Sequence, residues 1–406
     1  MSEAVSPAPP SAAFVRIPAR GAATGITRVL RPRRPTPTHC GVLADPAGVR
    51  TVLVLKPHDQ LGDFLVATPA IAALRARYPT ARLVLVTREF LAPLARRNPD
   101  VDEVLVLPRM SGARGLGGFG DVVSTIGRLR PQLAFVLNSV SRSKTVDTLA
   151  ALSRAACVTG RSRVGHGPLP ADAPADPLTS AITGAADAVY DLDLDVASAS
   201  RHQTDRVLDL VRWTGATADA TRLRLAPTGD DKSEGRARLE EAWRGATSGE
   251  APAPGARVRW IGIHPGAANV LKCWPLERFV ALGIAIAGAA ANSEERRLVV
   301  FDSPRERGRA AAVHAGLLAH QVHAGFVPSG PLDAFIGAAT SLDLLACNDS
   351  GVMHIAAALG VPTVSFHALG HPEEWAPRGR AFSFYNEKIG ALEVEPATAA
   401  VERLLA

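Results

Sequence analysis

The stretch S-L-D-L-L-A-C-N-D-S-G-V-M-H-I-A-A-A-L-G-V-P-T-V-S-F, Ser341 to Phe366, holds a buried strand, a polar corner, a small-residue helix and a second strand in one run. Its apolar part, Leu342 to Cys347, stops at Asn348, Asp349, Ser350 and Gly351, where turn and helix-capping chemistry replaces hydrophobic patterning. A helix N-terminus therefore faces whatever lies beyond the carboxyl end of the strand. In open parallel α/β sheets that crevice holds ligands, and unpaired N–H groups together with the helix dipole favour a phosphate there. His354, one turn into the helix, is within reach of the same anion.

The alternation that frames this corner runs through most of the chain. From Thr51 the sequence reads strand (Thr51 to Leu55), helix (Leu61 to Arg77), strand (Arg82 to Val86), helix (Glu89 to Arg97), then apolar runs at Glu103 to Leu107 and Leu133 to Leu137. Strands alternating with helices of this length imply β-α-β units and a doubly wound parallel sheet. Val164 to Ala188 dissolves into Gly, Pro, Ala and Asp and reads as a loop over the surface or the cleft. A helix at Arg201 to Trp213, a short strand at Arg222 to Leu225 and a charged helix at Asp231 to Arg244 lead to a breaker-rich stretch, Gly245 to Ala256. Beyond it R-V-R-W-I-G-I-H restarts the pattern. The expected organisation is a basic Pro/Ala/Arg-rich disordered extension over 1–48, one Rossmann-like domain over 49–245 and a second over 246–406.

At 406 residues the chain is long enough for two such cores. No apolar run is long enough to span a bilayer and the first fifty residues lack a signal-peptide pattern, so a cytoplasmic location is expected. Cysteines at 40, 157, 273 and 347 show neither C-x-x-C nor Cys/His metal spacing, and free thiols are expected of all four. The excess of 45 basic over 39 acidic residues, a net +6, suits acidic partners such as phosphorylated sugars or an anionic membrane face. It is too small and scattered for nucleic acid. With only 5% aromatics there is also no stacking surface for bases. The arginines of R-P-R-R-P, Arg31 to Arg34, offer a contact to lipid headgroups at the inner membrane face, against the plainer reading of a solvated tail.

Three further segments place chemistry at strand ends. In K-P-H-D-Q-L-G-D-F-L, Gly62 relieves crowding and Asp63 stands at a helix start, either as an N-cap or as a carboxylate aimed into the cleft to take a proton from a hydroxyl. In I-H-P-G-A-A-N-V-L-K-C-W-P, Gly266 and its small neighbours let backbone N–H groups approach a ligand, and Lys272 adds a charge suited to a diphosphate. A solvated lysine is the alternative. In F-D-S-P-R-E-R, Glu306 is a candidate acceptor of ribose or base hydrogen bonds, unless it is simply a surface charge. His354 is either a packed histidine or a ligand contact, and Asp349 a cap, a ribose contact, or both.

L-G-D-F-L-V-A-T-P-A-I-A-A-L, H-P-G-A-x(4)-K-x-W-P-x-E-R-F and N-D-S-G-x-x-H-I-A-A-A-L-G-V-P-T-V, taken in order, resemble glycosyltransferase family 9, the lipopolysaccharide heptosyltransferase family. The likeness covers roughly residues 51 to 380. It implies an α/β GT-B fold, two Rossmann-like domains facing across a cleft, with the acceptor on the first and the nucleotide sugar on the second. It also implies inversion at the anomeric centre with no cofactor and no metal ion. Position by position, Asp63 matches the general base, Lys272 the donor-phosphate lysine, and Asp349, Gly351 and His354 the D-[TS]-G-x-x-H loop, with Ser350 where Thr is commoner. Arg142 and Lys144 fall where an anionic acceptor binds. The chain departs from the family pattern at L-N-S-V around Asn138, where D-x-[QH]-G is usual, and at D-S-P after Phe301, where G-G-P is expected.

The resulting expectation is an enzyme moving heptose from ADP-heptose to a hydroxyl of lipopolysaccharide core or a related anionic glycan or glycolipid. Family members with another nucleotide sugar, or a noncatalytic nucleotide-sugar binder on the same fold, are the alternatives. A nicotinamide dehydrogenase is disfavoured because G-x-G-x-x-G is missing after the first strand.

Overall fold

Thirteen strands among the described residues form two sheets whose central members are buried on both faces. The computed structural model describes residues 15–16, 37–57, 60–109, 112–140, 143–161, 189–194, 201–246, 256–290, 294–304 and 308–406. The first sheet contains β1 (Val15–Arg16), β2 (Thr51–Leu55), β3 (Arg82–Arg88), β4 (Glu103–Leu107), β5 (Leu133–Val136), β6 (Cys157–Gly160) and β7 (Leu192–Leu194), in the order β1-β7-β6-β5-β2-β3-β4. The second contains β8 (Arg257–His264), β9 (Glu294–Phe301), β10 (Ala324–Val327), β11 (Leu344–Asn348), β12 (Thr363–His367) and β13 (Ala381–Tyr385), in the order β10-β9-β8-β11-β12-β13. Every pairing is parallel except that of β1 with β7. This is the two-sheet α/β architecture of the GT-B fold.

The apolar runs are continuous rather than alternating because helices cover both faces of each sheet. In β2, Val52 and Val54 join one core cluster while Leu53 and Leu55 join the opposite one, as the two-residue period of a strand requires. β8 and β11 divide in the same way. The first cluster does not end at its own sheet: it takes in Ile336 and Ile355 from the second half, so apolar packing joins the two. Arg97 adds a polar tie across the halves, bonding both Asp231 and Asp333. Helix Gly229–Ala246 packs on helix Leu332–Ala339 and on β10, that is, against the second sheet.

Several expectations change in the structure. The helix expected over Leu61 to Arg77 is two, Leu61–Leu65 and Thr68–Arg77, the second opening with Pro69, whose missing N–H costs nothing in a first turn. Arg222 to Leu225 is not a strand; Leu223 and Leu225 are buried there, but Arg224 and Ala226 donate backbone hydrogen bonds to Thr68 Oγ1 and Arg97 O instead of to a ladder. Within the stretch expected to be a disordered extension, β1 pairs with β7 and Pro37–Val42 is helical. The expectation of four free thiols is also corrected. Cys40 and Cys157 form a disulfide across 117 residues, while Cys273 and Cys347 are buried thiols outside that bridge. Sequence spacing carries no information about this pair, because the chain passes through four strands before β6 brings Cys157 under the Cys40 helix. The Gly245 to Ala256 boundary lies almost wholly outside the described residues, and so does the Val164 to Ala188 loop. No helix among the described residues is long and apolar enough to cross a membrane.

Candidate functional site

The second sheet presents its strand ends as a clamped corner. β11 delivers Asn348, fully buried, whose Oδ1 accepts from Trp274 N at 2.9 Å and whose Nδ2 donates to Pro265 O at 2.8 Å. The loop leaving β8, with Gly266 buried in it, is thereby tied to the end of β11. Arg309 holds the same loop from its other side, donating to Pro265 O at 3.0 Å and Trp274 O at 2.9 Å. Trp274 itself stacks on Phe366 of β12 with ring centroids 3.9 Å apart. Lys272 closes a short turn after the Asn269 cap, and its position follows from these ties.

Lys272 Nζ lies 2.7 Å from Oδ2 of Asp349, which is 7% exposed. Gly370 also closes on that carboxylate: a Cβ there would stand 2.5 Å from Asp349 Oδ2. Helix Gly351–Ala358 starts immediately after, and Ser350, its N-cap residue, makes no side-chain capping bond. The corner thus combines a buried carboxylate, an ammonium and the unpaired N–H groups of a first turn, a set able to orient hydroxyls and hold a phosphate.

His354 is 1% exposed, with burial pushing its pKa down to about 3, against the opposing pull of Asp349. It is a neutral ring and acts as a hydrogen-bond group rather than as a cation. Trp375 packs edge-on to it at 6.4 Å. His264 at the end of β8 is neutral for the same reason, burial lowering its pKa to about 4.

The first sheet meets this corner through a second turn. Asp63 sits inside the first turn of helix Leu61–Leu65, 2% exposed, and the N-cap is Gln60, so Asp63 is not the cap. The neighbouring Gly62 is pressed against the donor corner, since a Cβ on it would lie 2.9 Å from His354 Cδ2. A Cβ on Gly351 would lie 2.5 Å from Leu61 Cβ. The two helices touch where each has a glycine. Gly62 therefore spaces the two halves, whatever else it meets.

Of the residues marked by sequence, the structure brings Gly62 against His354 and Gly351 against Leu61, buries Asp63 next to Gly62, and joins Lys272 to Asp349. Gly266 lies in the clamped loop. Lys144 begins helix Lys144–Leu152, its side chain outside the described residues, as are Arg142 and Glu306 altogether. Sequence reasoning placed Asn348 in the polar corner without a role for its side chain, and passed over Arg309 and Lys56. Asn348 was visible as a polar residue closing an apolar strand, Lys56 as a lysine directly after β2, while nothing local marks Arg309.

Two Rossmann-like halves that meet at a phosphate-suited corner, with Asp63 buried beside the glycine that touches it, define a GT-B glycosyltransferase. The model of glycosyltransferase family 9 (heptosyltransferase) matches residues 187–394, just over half of the chain, and the chain belongs to that family. Lipopolysaccharide heptosyltransferase 2 of Escherichia coli (strain K12) is 23% identical over 337 residues, covering 80% of this chain and 85% of that protein. The enzyme of the same name from Salmonella typhimurium (strain LT2) is 24% identical over 332 residues, with the same coverage. Among solved structures, a glycosyl transferase family 9 protein from Veillonella parvula DSM 2008 superposes with TM-score 0.69 at 19% identity, covering 88% of this chain and 97% of that one. Escherichia coli ADP-heptose LPS heptosyltransferase II gives TM-score 0.66 at 18% identity, covering 87% and 98%.

Proposed function

We propose that this chain transfers heptose from ADP-heptose to a hydroxyl of the lipopolysaccharide core, with inversion and without a metal ion. Asp63 takes the proton of the acceptor hydroxyl as that oxygen attacks the anomeric carbon from the face opposite the leaving ADP. Charge then develops on the departing diphosphate, and Lys272 and the first-turn N–H groups after Ser350 receive it. Asp349 and neutral His354 orient the donor through hydrogen bonds, and Glu306 contacts its nucleoside. Arg142 and Lys144 hold anionic groups of the acceptor, which the net charge of +6 also suits.

The observation that supports this reading is the packing of Gly62 on His354, which brings the turn carrying the buried Asp63 against the D-S-G-x-x-H corner. The names of the relatives, lipopolysaccharide heptosyltransferase 2, support the choice of sugar and acceptor. The test is Asp63→Asn. Donor affinity should stay within about threefold of the parent while transfer falls on the order of 10³-fold, the range of a positioned general base. Near-normal turnover by this variant removes Asp63 as the base. Transfer that persists in chelator supports metal independence, and the anomeric configuration of the product decides inversion.

A further inference from the structure

The floor of the first half holds a charge that this mechanism leaves unused. Lys56 directly follows β2 and is 1% exposed. Its backbone N–H continues the ladder to Val86 O at 3.0 Å, and its Nζ donates to Leu137 O, just past β5, at 2.8 Å. β2 and β5 are neighbours at the point where the sheet reverses its strand order, the place where an α/β sheet opens a crevice at its carboxyl edge.

Burying an ammonium costs several kcal/mol, and one bond to a carbonyl does not offset it when a neutral amide could make the same bond. Asn138 and Ser139, which follow Leu137, are buried and uncharged; Asn138 Oδ1 and Ser139 Oγ have no hydrogen-bond partner among the described residues. From β3, Thr87 offers a hydroxyl 3.5 Å from Lys56 O, and Arg88, a second cation, donates to Pro57 O at 3.4 Å. Among the described residues, the negative charge that acts on Lys56 is that of Asp63.

We propose that Lys56 is a positioning residue of the transfer centre: its buried ammonium ties the ends of β2 and β5 and fixes a positive charge at the strand end from which the chain runs on to the helix of Asp63. This rests on the role given to Asp63 above. Burial pulls the Lys56 pKa from 10.5 down to about 8 while Asp63 pulls the other way, so the charge is present at neutral pH and fades above it.

Lys56→Gln separates the hydrogen bond from the charge. The amide keeps a donor directed toward Leu137 O, one bond short of the lysine, and relief from burying a charge offsets the weaker bond, so the melting temperature should stay near that of the parent. We expect kcat to fall by about 30-fold or more with donor KM within about threefold, the pattern of an interaction made in the transition state. In the parent, kcat should decline through pH 8 as Lys56 loses its proton, a limb that Lys56→Gln lacks. Parental kcat in a folded Lys56→Gln overturns the proposal. Should that variant not fold, the 13Cε resonance of Lys56 decides in its place, titrated in the parent and in Asp63→Asn. Losing the carboxylate must lower the midpoint measurably, and an unmoved midpoint overturns the coupling. A parent that releases no ADP from ADP-heptose with lipopolysaccharide acceptors refutes the transfer reading instead, and the titration still answers for Lys56.

Discussion

Lys272 Nζ and Asp349 Oδ2 are 2.7 Å apart, so the two groups best suited to a nucleotide sugar are bonded to one another. If Lys272 receives the donor diphosphate as proposed, it must exchange or share this carboxylate with a phosphate. Lys272→Met leaves a buried carboxylate without that partner, and because the lysine is 30% exposed the loss of stability should be about 1–2 kcal/mol, below that of a fully buried pair. Adding Asp349→Asn should restore most of the melting temperature and none of the donor affinity. Recovery of both in the double variant contradicts a direct role of Lys272 at the diphosphate.

Gly62→Ala puts a methyl group 2.9 Å from the His354 ring, closer than side chains approach. His354 is held by Trp375 and has little room to give way, so the two helices must part. A misplacement of this size should lower kcat/KM by about tenfold or more, with donor affinity less affected. Steady-state kinetics beside donor titration checks the split; unchanged kinetics would mean that the closed contact is not the catalytic one.

Acid should weaken the fold before it titrates the carboxylates. Burial lowers His202 and His264 to about 4 and His354 to about 3. Each folded value lies below the unfolded 6.5, so the unfolded chain takes up protons first. The stability these histidines contribute is complete above pH 6.5 and is lost progressively as pH falls from 6.5 toward 4. At pH 5 the loss is about 2 kcal/mol for each, by the 1.36 kcal/mol per unit of linkage. Melting curves from pH 8 to pH 5 should show a fall of several degrees; a flat profile rules the prediction out.

Reduction should loosen the first half. Closing a loop of 117 residues, the Cys40–Cys157 disulfide stabilises by about 4–5 kcal/mol on the chain-entropy account. Dithiothreitol should lower the melting temperature of the parent to that of Cys40→Ser/Cys157→Ser and leave the latter unmoved. The buried thiols Cys273 and Cys347 make no contribution of this kind.

The strands β2 and β11 were legible because a strand buried on both faces leaves a nearly continuous apolar run, and the Asn348 to Gly351 corner because such a run ends there in polar and turn residues. Asp63 was legible as a residue but not as to place: the sequence cannot distinguish an N-cap from a first-turn position when Gln60, which lacks a capping side-chain bond, starts the helix. Arg222 to Leu225 shows the converse, alternation that produces burial without a ladder. What stayed hidden are relations across long separations. Arg309 closes the Pro265 loop from 44 residues away and Lys56 meets Leu137 across 81, and neither distance has a local signature.

The paired glycines of the cleft also bear on how such enzymes can be recombined. Gly62 has room for a side chain as far as its own half is concerned, and it is denied one by His354; Gly351 is denied one by Leu61. Each half therefore carries a notch cut to the outline of the other. A chimaera joining the first half of this chain to the second half of a relative inherits a working cleft only when both notches come with it, however faithfully each half folds by itself.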